Sequence, residues 1–222
     1  MKNLRIKFSL LLGVLTHSLA AQTAIMPGDL LITEVLANPA AVSDSSGEWF
    51  EIFNTSSQAI DLNGLLIKDS GSNNHIIQSA SPLLINAEEY FVLGRDGNQS
   101  TNGNYHADYV FNSFTLGNTR DEIILEFNGI TIDALFYDDA IFGTAGNSIE
   151  WVNGAFSLTP ESLTFGEGDS GTPGMANSGP LNSPISPVPI PSAALLFMSA
   201  VSGLLLLKQK TLSSVSTRLY RR

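Results

Sequence analysis

The chain has 222 residues, 43% of them hydrophobic, and no cysteine, so one core can be buried while thiolate zinc sites, disulfide frameworks and cysteine nucleophiles are excluded. All 21 acidic residues lie between Asp29 and Asp169, together with only three of the 11 basic residues. That interval has a net charge of −18 (3 basic minus 21 acidic residues), which argues against nucleic-acid partners. Such a charge favours cations or basic proteins as partners. The alternative is that the acidic surface only keeps the protein soluble.

The first 20 residues have the three parts of a secretory signal peptide. Three basic residues precede an apolar run over residues 8–19, and Ala20 completes a small-residue cleavage site before Ala21. An uncleaved membrane anchor is the alternative, but an apolar run of about 12 residues is short for a span that needs about 20. The sequence therefore predicts export of the chain from residue 21 onward.

Between residues 28 and 152, short β-rich runs alternate with turn sequences, and no helical periodicity is sustained. This pattern predicts an all-β sandwich. The pair Asn128-Gly129 is typical of a two-residue hairpin turn, and the second strand carries aromatic residues on both faces, which predicts a central position. The predicted strands are Leu30–Leu36, Glu48–Phe53, Leu65–Lys68, His75–Gln78, Tyr90–Leu93, Glu122–Phe127, Thr131–Tyr137 and Ser148–Val152.

Several of these segments resemble the lamin tail domain, a family with an immunoglobulin-like β-sandwich. The segments are Gly28–Val35, Gly47–Asn54 with its Glu-Trp-x-Glu-x-x-Asn motif, Ile60–Leu65, Tyr90–Gly94, Asp121–Leu125, Asp133–Tyr137 and Gly171–Asn177, which is similar to the Thr-Pro-Gly-x-x-Asn end of bacterial members. The resemblance implies a surface or secreted module. Nuclear members of the family bind DNA and chromatin, which is at odds with the charge of −18 here.

Three glutamates on neighbouring predicted strands are the candidates for acid–base chemistry. Glu48 and Glu51 are three residues apart, so they point to opposite faces of a strand, whereas Glu34 and Glu51 could act together or share a metal. The alternative is a structural pairing with backbone groups or with a cation such as Arg120. No serine-hydrolase elbow or zinc-protease motif appears around His75 or elsewhere, so the sequence predicts a protein without catalytic residues.

The loop that begins at Asp96 places oxygen-bearing side chains at alternate positions, as calcium loops do. Asp96, Asn98 and Ser100 are the candidate ligands, but the glycine and glutamate of an EF-hand are missing, with Thr101 and Ala107 in their places. A solvated loop is the alternative. Calcium is the one cofactor that the sequence suggests.

The C-terminal region combines a motif, an apolar run and a basic cluster. After a stretch rich in Gly, Pro, Ser and Asn, the motif begins with Val188, Pro189 and Pro191, and an apolar run extends from Ser192 to Leu207. As a helix this run would be about 24 Å long, short for a hydrocarbon core of about 30 Å. The cations after it predict a cytoplasmic tail and an external acidic domain.

This trio resembles the PEP-CTERM class of exosortase sorting signals, in the Val-Pro-x-Pro-Ala-Ala variant. The resemblance implies an exosortase-type processing enzyme as a partner, removal of the helix, and transfer to a surface anchor in a Gram-negative bacterium with an extracellular matrix. Twelve residues follow Lys210, which also leaves open a permanent single-pass anchor.

The predicted organisation is a signal peptide (1–20), a β-sandwich (28–152), a linker (153–187), a sorting motif with a transmembrane helix (188–210) and a basic cytoplasmic tail (211–222). The predicted function is a non-catalytic binding or scaffold module, anchored first in the inner membrane and then at the cell surface or in the matrix, with a polysaccharide or protein ligand. The alternatives are a secreted metal-dependent hydrolase and a self-associating matrix protein.

Overall fold

The computed structural model describes residues 24–138 and 144–182. Within these ranges no helix is long and apolar enough to cross a membrane. The predicted signal peptide (1–20) and the predicted sorting motif, helix and tail (188–222) lie outside the described residues, so they stay predictions.

The described residues form an all-β protein with a single one-turn helix, α1 (Asp44–Gly47). The strands are β1 (Leu30–Leu36), β2 (Trp49–Asn54), β3 (Ile60–Asp61), β4 (Leu66–Lys68), β5 (Asn74–Ile76), β6 (Leu84–Ile85), β7 (Tyr90–Gly94), β8 (Tyr109–Val110), β9 (Asp121–Phe127), β10 (Ile130–Tyr137), β11 (Ile149–Val152), β12 (Ala155–Leu158), β13 (Thr164–Phe165) and β14 (Asp169–Ser170). The predicted all-β class is confirmed. All eight predicted strands occur, with ends displaced by at most two residues.

Two sheets account for most of the strands. The large sheet has the order β12-β11-β1-β2-β7-β8, and the small sheet has the order β10-β9-β4-β5. Every neighbouring pair is antiparallel except β7 and β8. The pairs β3–β6 and β13–β14 form two further two-stranded sheets. This arrangement is consistent with an immunoglobulin-like sandwich.

The core lies between the inner faces of the two sheets. Phe50 and Ile52 of β2 belong to the same cluster of buried side chains as Ile123 and Leu125 of β9. Side chains alternate between the two faces of a strand, so the spacing of these residues by two puts each pair on the core side. Burying a side chain of this size contributes about 1.5–3 kcal/mol.

The second strand is central, as its sequence predicts. It lies between β1 and β7, and its alternate residues are buried on the opposite face as well. Trp49 and Glu51 are both fully buried there. The outer face of the large sheet is therefore covered, and the cover comes from the C-terminal part of the domain.

The linker predicted over residues 153–187 is corrected by its described part, residues 153–182. Residues of this part form β12 on the edge of the large sheet and the β13–β14 pair, and Thr172 and Asn177 are buried. A composition rich in Gly, Pro, Ser and Asn predicts a mobile chain. In the structure, side chains of the large sheet bind backbone groups of residues 153–182, which fixes this part of the chain. The folded domain therefore extends well past residue 152.

The hairpin predicted at Asn128-Gly129 is confirmed. The turn joins β9 to β10, and both residues have left-handed backbone angles, with φ of 52° and 79°. Positive φ at both central positions is the signature of the turn whose twist matches that of the flanking strands. Its register pairs Ile130 with Phe127 directly across the turn.

Replacing Gly129 by alanine should isolate the cost of this backbone conformation, because an added Cβ would meet no atom within 4 Å. We expect Gly129→Ala to lower the free energy of unfolding by about 1–2 kcal/mol in chemical denaturation. Gly129→Asn is the control, since asparagine tolerates left-handed angles and should retain most of the stability. An equal loss in both variants would contradict this account of the turn.

Candidate functional site

Three glutamates stand side by side on the outer face of the large sheet. Glu51 of β2 is directly opposite Glu34 of β1, and Glu34 is directly opposite Glu150 of β11. All three are fully buried. Like charges in such positions repel each other, and a buried carboxylate is costly unless it is hydrogen-bonded. This glutamate row therefore requires specific partners.

A β-bulge in β1 places Glu34 in the row. Ile32 is opposite Ile52, with both side chains in the core. The next pair is Glu34 with Glu51, so Thr33 is an extra residue in β1. Such an extra residue interrupts the alternation of side chains along the strand. The side chain of Thr33 therefore reaches the outer face of the sheet, as that of Glu34 does. Its hydroxyl donates to Glu51 Oε1 at 2.7 Å.

Residues 171–178, called the strap here, cross the glutamate row. At the start of the strap, the backbone N–H of Thr172 donates to both carboxylate oxygens of Glu34, at 3.0 and 3.1 Å, and the Thr172 hydroxyl donates to Oε2 at 2.7 Å. The hydroxyls of Ser148 and Thr159 donate to Oε1 at 2.6 and 3.3 Å. Glu34 thus fastens the strap to the middle of the large sheet.

The other two glutamates hold the rest of the strap. The backbone N–H of Gly174 donates to Glu51 Oε2 at 2.8 Å, and that of Ser178 donates to Glu150 Oε2 at 2.8 Å. The Ser178 hydroxyl donates to the second oxygen of the same carboxylate. Between these contacts, the Asn177 amide donates to backbone carbonyls of β1 and β11 at 2.9 and 3.0 Å. Each glutamate of the row therefore binds one backbone N–H of the strap.

No ion pair neutralises the row within the described ranges. Burial raises the pKa of Glu34, although the hydrogen bonds from Ser148 and Thr172 oppose the rise. Burial raises the pKa of Glu51 well above its ordinary value, and the neighbouring Glu34 carboxylate adds to that rise. A buried carboxylate without a cation nearby retains its proton to higher pH, so the strap contacts are coupled to protonation.

Aromatic packing supports the start of the strap. Trp49 is fully buried on the outer face, with ring centroids 5.8 Å from Phe165 and 6.1 Å from Tyr105. Gly171 lies against this group, and a Cβ there would be 3.0 Å from Trp49, 3.1 Å from Glu34 Oε1 and 3.1 Å from Phe165. Only a glycine therefore fits at position 171 without displacing its neighbours.

A further carboxylate holds the chain just before the strap. Asp169 in β14 is buried and accepts hydrogen bonds from the backbone N–H groups of Ala40 and Ala41 at 3.1–3.4 Å. Burial raises the pKa of this carboxyl group, and the two N–H groups oppose the rise. Asp169 therefore joins the loop after β1 to the C-terminal segment.

Glu48 faces away from Glu51, as the sequence predicts. Its Oε2 accepts hydrogen bonds from Arg95 Nη1 at 2.9 Å and from the backbone N–H of Leu116 at 3.2 Å. Burial raises the pKa of Glu48 to about 7, against the lowering effects of Leu116 and Arg95. The cation paired with Glu48 is therefore Arg95, and not Arg120 as the sequence suggested.

The structure brings Glu34 and Glu51 together, as the acid–base alternative requires. Both carboxylates lie beneath the strap and are fully buried. A substrate could reach them only if the strap moved away. The geometry matches the structural alternative, in which backbone N–H groups and hydroxyls bind the carboxylates.

The predicted calcium ligands lie in one exposed loop, where they bind neighbouring groups. Asp96 accepts hydrogen bonds from Asn98 N at 2.9 Å and from the Thr101 hydroxyl at 2.6 Å. The side-chain oxygen of Asn98 accepts from the backbone N–H and hydroxyl of Ser100 at 3.1 and 2.8 Å. Among the described residues, no three His, Asp or Glu side chains form a group that could hold a metal. Calcium at this loop stays a prediction.

The two histidines of the folded domain have separate partners. His75 Nε2 lies 2.9 Å from Tyr109 Oη, and His106 Nε2 lies 3.4 Å from Asp108. No local pattern connects His75 with Tyr109, because 34 positions separate them.

The lamin tail domain family matches residues 23–139, which is more than half of the 222-residue chain. This chain belongs to the lamin tail domain family. No curated protein and no solved structure matches it. Glu34 and Glu51 of this lamin tail protein lie inside the matched range, whereas Glu150 and the strap lie beyond it.

Of these later residues, sequence analysis missed Glu150 and found the strap only as a Thr-Pro-Gly-x-x-Asn sequence. Glu150-Trp151 resembles the Glu48-Trp49 dipeptide, but Glu48 faces away from the row, so this likeness does not reveal the role of Glu150. The periodicity of a single strand does not reveal which side chains on other strands it will meet.

Alanine at position 171 should disturb the strap because its Cβ has no free space. We expect Gly171→Ala to lower the free energy of unfolding by about 1–3 kcal/mol and to speed hydrogen exchange at Thr172 and Gly174. Gly179→Ala is the matched control, since its Cβ would lie at an ordinary 3.5 Å from Val152. Similar losses in the two variants would show that Gly171 is not specially constrained.

The protonation of Glu51 should make stability depend on pH. Its folded-state pKa is raised, so its stabilising contribution is complete below about pH 4.5 and is lost as pH rises through the folded-state pKa. We expect Glu51→Gln to remove this part of the pH dependence, worth about 1.4 kcal/mol for each unit of pKa difference between the folded and unfolded states. The measurement is chemical denaturation from pH 4 to pH 9.

Glu161→Gln, at an exposed position, is the control for Glu51→Gln. It should leave the pH profile of the wild-type protein unchanged. A Glu51→Gln profile parallel to that of the wild type would mean that the pKa of this carboxyl group is the same in the folded and unfolded states.

Proposed function

We propose that this lamin tail protein is an exported, cell-surface-anchored, non-catalytic binding or scaffold module, associated with extracellular matrix or polysaccharide. The observation that carries the proposal is the engagement of Glu34 and Glu51 with the strap. These are the carboxylates that the sequence offers for acid–base work, and their positions beneath the strap suit a stable scaffold better than a site open to substrate. Membership of the lamin tail family supports the same conclusion.

The distribution of charge supports export and anchoring. The acidic interval, residues 29–169, covers most of the folded domain, and eight of the 11 basic residues lie near the two ends of the chain. Basic residues beside an apolar segment are retained on the cytoplasmic side of a membrane. An acidic domain between two such ends therefore suits translocation with the C-terminal end anchored in the inner membrane.

In this proposal, Val188, Pro189 and Pro191 are recognised by an exosortase-type enzyme, which transfers the protein to the cell surface. The carbonyl of Pro180 accepts a hydrogen bond from the backbone N–H of Asn153 at 3.0 Å, and seven residues, 181–187, separate it from the motif. Seven residues span at most about 25 Å when fully extended. The folded domain would thus stay close to the membrane until the motif is cut, and the processing enzyme would work beside it.

The fate of both ends can be measured in the cells that carry the gene. We expect mass spectrometry to find an N-terminus at Ala21 and loss of the residues after the sorting motif, with the protein in the surface or matrix fraction. Alanine at Val188, Pro189 and Pro191 should leave the full C-terminus in the inner membrane. The same change at Pro184 and Pro187 is the control and should not alter processing.

Intact protein in the cytosol, with both ends uncleaved, would overturn the proposal of export. Surface protein that retains its C-terminus in the wild type would support the permanent anchor instead of sorting. An activity of the purified protein that Glu34→Gln abolished would support the hydrolase alternative.

A further inference from the structure

A shallow pocket of about 500 Å³ opens where β5 and β8 approach each other. Its polar walls come from β5, β8 and the loops after each of them. The side chains that matter here are those of His75, Gln78, Tyr109, Asn112 and Ser113. None of the residues around the pocket is a lysine, arginine, aspartate or glutamate, which is unusual for a domain with a net charge of −18.

A hydrogen-bond network fixes the aromatic wall of this pocket. The backbone N–H of Asn112 donates to His75 Nδ1 at 3.4 Å, so in the neutral ring Nε2 carries the proton and donates to Tyr109 Oη at 2.9 Å. The backbone N–H of Gln78 also donates to Tyr109 Oη, at 3.2 Å. The phenol oxygen accepts both bonds, and its own hydrogen remains available to an acceptor outside this network.

Two side-chain amides complete the polar lining. Those of Gln78 and Asn112 have no hydrogen-bond partner among the residues that the structure describes. Each amide offers two donor hydrogens and one acceptor oxygen. The pocket thus presents a phenol donor beside two groups that can both donate and accept.

The loop that closes one side of the pocket is strained. Ser113 has a φ of 57°, an unusual angle for a residue other than glycine, asparagine or aspartate. Its carbonyl accepts a hydrogen bond from the backbone N–H of Asn74 in β5 at 3.2 Å, which holds the loop against that strand. Strained backbone of this kind is concentrated at ligand-binding positions.

The chemistry of the lining limits the ligand. An anion would be repelled by the charge of the domain, and a hard cation would need carboxylate ligands that this pocket lacks. An apolar ligand needs mostly apolar walls. A neutral ligand rich in hydroxyl groups satisfies every condition, because each hydroxyl both donates and accepts and its apolar carbons can contact the faces of Tyr109 and His75.

We propose that this pocket binds neutral saccharide units. The inference names a ligand class for the binding function and in that sense rests on the proposed function. Gln78 and Asn112 would bind sugar hydroxyls through their amides, Tyr109 would donate its phenol hydrogen, and His75 would position Tyr109.

Titration calorimetry of the full-length protein in detergent solution tests the proposal. The probes are neutral oligosaccharides of glucose, galactose, mannose and N-acetylglucosamine, with anionic alginate for comparison. We expect at least one neutral probe to bind, and Gln78→Ala and Asn112→Ala each to weaken its binding about tenfold, which corresponds to one lost hydrogen bond of about 1.4 kcal/mol. Gln58→Ala, an exposed glutamine outside the pocket, is the matched control and should bind normally.

Thermal unfolding of each variant shows whether it is folded. No binding of any neutral probe at millimolar concentration, tighter binding of alginate than of the neutral probes, or an equal loss in Gln58→Ala would overturn the saccharide site. These outcomes leave the proposed export untouched, because that proposal depends on processing and location in the cell. Conversely, a protein that binds saccharides but stays in the cytosol would overturn export alone.

Discussion

The architecture depends on the hydrogen bonds that the backbone of the strap donates to three buried glutamate side chains. Each partner would be unstable without the other. Glu34, Glu51 and Glu150 occupy adjacent strands without a neutralising cation in the described structure, and the strap is an irregular segment whose backbone N–H groups would be buried without acceptors. A carboxyl group suits this task because its two oxygens can accept hydrogen bonds from the strap in either protonation state.

These hydrogen bonds account for the threonine, glycine and asparagine of the Thr-Pro-Gly-x-x-Asn sequence. Thr172 supplies both a backbone N–H and a hydroxyl to Glu34. Gly174 has a left-handed φ of 79° and directs its N–H to Glu51. Asn177 links β1 to β11 through its amide. The threonine, glycine and asparagine of the motif therefore each have a separate role in docking the strap.

The inner and outer faces of the large sheet are buried by different kinds of contact. The inner face buries an aliphatic and aromatic core, whereas the outer face of the large sheet is closed by polar contacts around Trp49. The pocket proposed to bind saccharides lies apart from the glutamate row, between β5 and β8. A rigid scaffold with a small polar site at its margin is a common way to combine stability with binding.

Much of the fold could be predicted from the sequence. Short β-rich runs between turn sequences identified eight strands, and Asn128-Gly129 identified the hairpin, because both signals are local. The aromatic residues on both faces of β2 showed that it is central. The opposite orientations of Glu48 and Glu51 followed from the period of a strand alone.

Other features depend on which strands become neighbours. The composition of residues 153–182 indicated a linker, since the sequence does not show that their N–H groups meet Glu34, Glu51 and Glu150. The bulge at Thr33 depends on the pairing of β1 with β2, and the contact of His75 with Tyr109 joins two residues that are distant along the chain. The local sequence thus determined the strands of this protein, its hairpin and the alternation of side chains along the second strand. Only the tertiary structure decided which polar groups satisfy each other, because hydrogen bonding depends on distances in space and not on separation along the chain.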